Sequence, residues 1–176
     1  KSAHMGNMDL RLFQNVVDQI EGHVEFLSLA SRGEPLLNKL LPQMLEYTTG
    51  KFLNLKLNTN ASKLTEELSH CLLNGSVRTL VFSVDAATEE LYSQLRVNGK
   101  LSRVLKNIER FQKIRATQYS DARIITRVSG VKVNDEQDMD QMKGVWGDLV
   151  DQISFVAYNP WEYIYTAPEN NISNPC

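Results

Sequence analysis

Cysteine is nearly missing from this chain: 176 residues hold two, Cys71 and Cys176, and they form no CxxC pair. That excludes a disulfide framework and makes a reducing cytoplasm the default compartment. Long apolar runs are also missing. Nothing approaches the roughly 18 consecutive apolar residues that a membrane-crossing helix requires, and no signal-peptide pattern opens the chain. An excess of either charge sign is absent too. The formal net charge of −2 gives no electrostatic reason to expect nucleic acid or an anionic membrane as partner. No repeat and no low-complexity tract interrupts an ordinary globular composition, 42% hydrophobic and 23% charged, so the chain has the means to bury a core. Residues 1–6 contain the His-Met pair common at cloning junctions and are left out of the fold argument.

What is present is alternation. Short apolar or period-two runs at 24–30, 52–58, 77–84, 122–133 and 152–158 read as strands. Between them, residues 36–48, 64–73, 88–95, 104–115 and 136–145 show helical spacing. Ser62 is the expected N-cap of the second helix, with Gly75 just past its end. The Asn98-Gly99 turn divides the third helical stretch in two. Apolar strands alternating with helices predict an α/β fold, a parallel sheet with helices outside it. A closed eight-unit barrel needs about 250 residues, so the expectation is a partial (β/α) TIM-like barrel or an open doubly wound sheet.

Both architectures put function just beyond the carboxyl ends of the strands. Those positions carry Gly33, Glu34 and Pro35 after the first strand and Asn58, Thr59 and Asn60 after the second. Ser83 and Asp85 end the third, with Arg96 one helix later, and Arg127 lies in the fourth. Gly33 admits close backbone approach, and Pro35 sets the direction of the next helix. Glu34 is an acceptor for an ammonium, Asp85 for ribose hydroxyls, and Arg96 or Arg127 a donor fork for a carboxylate. An amino acid joined to a ribose needs all three. Plainer roles compete: Asp85 as N-cap of the helix near Thr88, Arg96 and Arg127 as solvated cations, Asn58 and Thr59 as turn formers. His70 and Cys71, near a helix end with no other ligand-type residue beside them, do not read as a metal site.

Ser31-Arg32-Gly33-Glu34-Pro35-Leu36-Leu37 resembles the GGEP motif of the radical S-adenosylmethionine (SAM) enzymes. Asn58-Thr59-Asn60-Ala61 is similar to that family's TNG turn. Ser83-Val84-Asp85-Ala86, followed by Glu90-Leu91-Tyr92 and Arg96, is similar to its SxDG segment, and Asn107-Ile108 to the helix that follows. The four segments come in the family's order over residues 8–160, with 161–176 reading as a linker toward a further extension. The resemblance implies a partial barrel that binds SAM beside a [4Fe–4S] cluster, reduced by a flavodoxin or ferredoxin. The radical so formed abstracts hydrogen from a peptide or small-molecule substrate. Gly33, Glu34, Pro35, Asn58, Thr59, Asn60, Ser83, Asp85, Arg96 and Arg127 would then contact SAM. The sequence departs from the pattern twice. Arg32 replaces the first glycine, and the CxxxCxxC segment that supplies three thiolates is absent, which implies an inactive fragment. Cys176 stands where SPASM or twitch extensions begin, as a single candidate ligand of an auxiliary cluster. The competing expectation is a non-catalytic module that binds SAM, a nucleotide or a peptide. A barrel hydrolase or aldolase lacks its lysine or paired carboxylates at the strand ends.

Overall fold

The computed structural model describes residues 6–30 and 33–158. Its elements run α1 (Leu10–Ile20), β1 (Phe26–Leu29), α2 (Leu41–Tyr47), β2 (Asn54–Thr59), α3 (Glu66–Asn74), β3 (Val77–Ser83), α4 (Glu89–Leu95), α5 (Leu101–Gln118), β4 (Ile125–Lys132), α6 (Met139–Trp146) and β5 (Gln152–Ala157). The five strands form one parallel sheet in the order β1-β2-β3-β4-β5. That order decides between the two predicted architectures. A doubly wound sheet reverses its strand order at a switch point; here the order never reverses. The sheet is the arc of a partial barrel.

The pleat sorts the strand residues into two sets. Leu55 and Leu57 of β2, Leu80 and Phe82 of β3 and Val128 of β4 are at most 1% exposed and join one core with Leu72, Ile108, Phe111, Met142 and Trp146 from the helices. Phe82 meets Phe111 of α5 edge to face, with ring centroids 6.0 Å apart. Burying a side chain of this size contributes roughly 1.5–3 kcal/mol, so this face carries most of the fold's stability. The alternate residues share the other face. Lys56 and Asn58 (β2), Thr79 and Ser83 (β3), Arg127 and Ser129 (β4) and Ser154 (β5) are polar and part-exposed, while Val81 among them is buried.

The structure departs from the expected elements at three places. No helix is expected before residue 24, yet α1 forms there, capped by Asp9, which accepts from the Leu12 amide at 2.8 Å. Its Phe13 and Val17 pack with Met44 against Leu27 and Leu29 of β1. The single helix expected over 36–48 is broken into a 3₁₀ turn, Pro35–Leu37, and α2. Pro42 has no N–H to continue a helical ladder, and Asn38 Oδ1 takes the Leu40 amide at 3.0 Å instead. The cap of α3 is Thr65, accepting from Leu68 N at 3.2 Å, and not Ser62. Among the described residues no helix is long and apolar enough to cross a membrane.

Candidate functional site

Glu34 lies at the centre of the strand ends. It leaves β1 as the N-cap of the 3₁₀ turn, and Oε1 accepts from the Leu36 amide at 3.1 Å. The same oxygen accepts from Thr59 Oγ1 at 2.6 Å, and Oε2 accepts from the Asn60 amide at 2.7 Å. One carboxylate thus ties the loop after β1 to the loop after β2. Pro35 starts the turn and directs it away. An ionised carboxylate offers roughly four lone-pair positions, so three donors leave it capacity for one more cationic donor.

The loop after β2 is held in an uncommon conformation. Ala61 has φ +57° and is fully buried. A non-glycine residue there costs about 1–2 kcal/mol, so the surroundings must hold it. Thr59 Oγ1 takes the Ala61 amide at 3.0 Å, Asn60 Oδ1 takes the Ser62 amide at 2.9 Å, and Asn107 of α5 donates to the Ala61 carbonyl at 2.9 Å. Arg110 adds a bond to the Leu64 carbonyl. Asn107 was legible only as part of a helix; its side chain turns out to brace this loop.

At the end of β3, Asp85 is 8% exposed and does not cap α4; Thr88 does, through the Leu91 amide at 3.3 Å. Asp85 instead accepts from Arg96 Nε at 2.6 Å and from the Val131 amide of β4 at 2.8 Å. A buried Gln137, 2% exposed, locks this corner. Its Nε2 donates to the carbonyls of Asp85 (2.8 Å) and Val131 (2.7 Å), and its Oε1 accepts from the amides of Val133 (2.6 Å) and Asn134 (3.2 Å). No sequence signal marked Gln137, because a lone glutamine at a helix entrance reads as solvated.

These elements enclose a cavity of about 360 Å³ lined by Ala30, Gly33, Glu34, Asn58, Thr59, Asn60, Ser83 and Arg96. Asn58 Oδ1 is buried there without a hydrogen-bond partner among the described residues. Such an orphan acceptor costs about 1–3 kcal/mol unless something donates to it. Asp85 lines a neighbouring cavity that shares Asn60 and Arg96. Chemically, the first cavity accepts a cation at Glu34 and Asn58, and Arg96, steadied through Nε, presents its terminal amino groups to an anion.

Arg127 shares a row of the open face with Asn58 and Val81 but does not line this cavity. It is the third residue of β4, opposite Val81 and Gln152, and donates from Nε (2.9 Å) and Nη2 (2.5 Å) to Gln152 Oε1. The expected strand began three residues earlier and ended one later than β4, Ile125–Lys132.

No protein-family model matches the chain. Mycofactocin maturase MftC of Mycobacterium ulcerans is 22% identical over 142 residues, covering 81% of this chain and 38% of that protein. MftC of Mycobacterium tuberculosis H37Rv is 22% identical over 104 residues, 59% of this chain and 27% of that one. Streptococcus suis SuiB bound to SAM superposes with a TM-score of 0.70 at 16% identity, over 89% of this chain and 36% of SuiB. SuiB bound to its precursor peptide SuiA gives 0.71 over 88% and 34%. This chain is a relative of the radical SAM enzymes. It spans little more than a third of the length of these relatives, and at 16% identity the structural likeness establishes the fold.

A radical SAM cluster is held by three thiolates. Cys71 lies half-buried on α3, where burial pushes its thiol up from the ordinary range, and Cys176 lies outside the described residues. Among the described residues no group of three His, Cys, Asp or Glu converges on a metal position. These residues do not fit a cluster.

Proposed function

We propose that this chain is the SAM-binding arc of a radical SAM enzyme that modifies a peptide. The observation that carries the reading is the convergence of Glu34, Asn58, Asn60, Ser83 and Arg96 on one cavity at the carboxyl ends of three adjacent strands. The free capacity of Glu34 and the orphan Asn58 Oδ1 suit the ammonium of SAM, and the Arg96 fork suits its carboxylate. Asp85 acts by holding Arg96, with the ribose at its rim. The peptide substrate is supported by SuiB, solved with a precursor peptide. A second reading, SAM binding without catalysis, is favoured by one observation: among the described residues no group of three metal-ligating side chains converges at the site.

Calorimetry with SAM tests the site. A few charge-assisted contacts, each worth roughly 1.5–3 kcal/mol and offset by ordering of the ligand, predict a Kd between about 100 μM and a few millimolar. Asn58→Ala weakens it, and Asp85→Ala weakens it by freeing Arg96. Absence of SAM binding at millimolar concentrations overturns both readings. Micromolar binding shows a site complete without a cluster and selects the non-catalytic one.

A further inference from the structure

Beside the strand-end cavity lies a second one of about 410 Å³, between the α4–α5 turn and the loop after β2. Arg96 and Asn60 line both. The second cavity is cationic: Arg96, Lys100 and Arg103 face one carboxylate, Asp85, which already accepts from Arg96. Lys100 and Arg103 form no ion pair among the described residues, and the nearby Glu89 is engaged in capping α5 through the Leu101 and Ser102 amides, at 3.0 and 2.9 Å.

Tyr92 makes the observation specific. It is 2% exposed and lines this cavity. Burial pushes its ionisation up, so it stays a neutral donor at physiological pH. The turn is shaped around it: Asn98 has φ +62°, and a Cβ on Gly99 would stand 2.8 Å from the Tyr92 ring and 2.9 Å from the Arg96 carbonyl. Leu95 and Val97, the latter 87% exposed, add apolar surface beside the cations, which suits a peptide better than an inorganic ion.

We infer that this cavity is a subsite for a carboxylate of the peptide substrate, received by Lys100, Arg103 and the Tyr92 hydroxyl, while Arg96 keeps its terminal amino groups for SAM. The inference rests on the peptide-modifying reading, and its test separates the two. The isotope-labelled 176-residue chain is titrated by NMR with acetyl-Ala-Glu-Ala-amide, with its Gln analogue, with acetyl-Ala-Ala-Ala carrying a free C-terminus, and separately with SAM. The Glu peptide moves the amides of Tyr92 and of 97–101, and the Gln analogue binds about tenfold more weakly, the loss of one charge-assisted contact set. If the free-terminus peptide matches the Glu peptide, the subsite reads a chain end; if it does not, it reads an acidic side chain. The exposed-site double variant Lys100→Gln/Arg103→Gln weakens the Glu peptide about tenfold and leaves the SAM-induced shifts at Gly33 and Asn60 intact, whereas Tyr92→Phe weakens the peptide about threefold. Equal binding of the Glu and Gln peptides, or undiminished binding by the double variant, overturns the subsite. Peptide binding without any SAM-induced shift leaves the subsite standing and removes the radical SAM reading.

Discussion

The two faces of the sheet are built from the same strands, one residue apart, and obey different rules. On the helix-covered face, Leu57, Leu80, Phe82 and Val128 are entirely buried. On the other face their immediate neighbours Asn58, Ser83, Arg127 and Ser129 stay part-exposed and polar. A strand has a side-chain period of two, so adjacent residues point to opposite faces and meet different surroundings. The covered face supplies stability, and the open face is free to carry groups that would be costly in a core. The site sits where the open face meets the strand ends.

The sharpest way to break that comparison is a pair of adjacent substitutions. Phe82→Ala removes an aromatic ring from the core and costs about 3–5 kcal/mol in urea unfolding, while Ser83→Ala stays within about 0.5 kcal/mol. Similar losses at both positions would mean that the open face is buried in solution. Gln137 tests the corner where the faces meet. Gln137→Ala leaves two carbonyls and two amides without their partner and costs about 2–3 kcal/mol, read as a lower melting temperature.

Acid probes the covered face's opposite rim. Burial alone would raise the Asp151 carboxyl, but hydrogen bonds from the Thr126 amide and hydroxyl and from Arg115 outweigh it and hold it low. A depressed folded-state value stabilises the protein above the ordinary carboxylate range, and this contribution is lost as pH falls through the folded value. Wild type therefore loses melting temperature more steeply below about pH 4 than Asp151→Asn does. The smallest effect is expected at Arg127. Its contact is a part-exposed bond to Gln152, so Arg127→Met changes stability by no more than about 0.5 kcal/mol and leaves SAM affinity unchanged. A large loss of SAM binding there would extend the site down the open face.

Particular residues show why some of this was legible. Leu55, Leu57, Leu80 and Phe82 announced themselves through alternation, since burial of a strand face is a local pattern. The Gly33-Glu34 and Asn58-Thr59-Asn60 pairs were legible because strand ends in such folds collect polar groups. Helix α1 is readable too, since Leu10, Phe13, Val17 and Ile20 have helical spacing behind a capping Asp9. The break at Asn38–Pro42 was also readable, from proline's missing donor. Gln137 and Asn107 were not, because their partners lie 52 and 46 residues away.

By itself, then, the order of residues determined the strand–helix alternation, the parallel sheet and the identity of the groups at the strand ends. These follow from side-chain period, propensity and turn chemistry, which act over a few residues. Tertiary structure decided the rest: that the arc does not reverse, that Asp85 holds Arg96 instead of capping α4, that Glu34 joins two loops, and that Arg127 pairs with Gln152 and does not line the cavity. Each depends on the register between strands distant in sequence. Register is set when whole faces pack together, after every local preference has been satisfied.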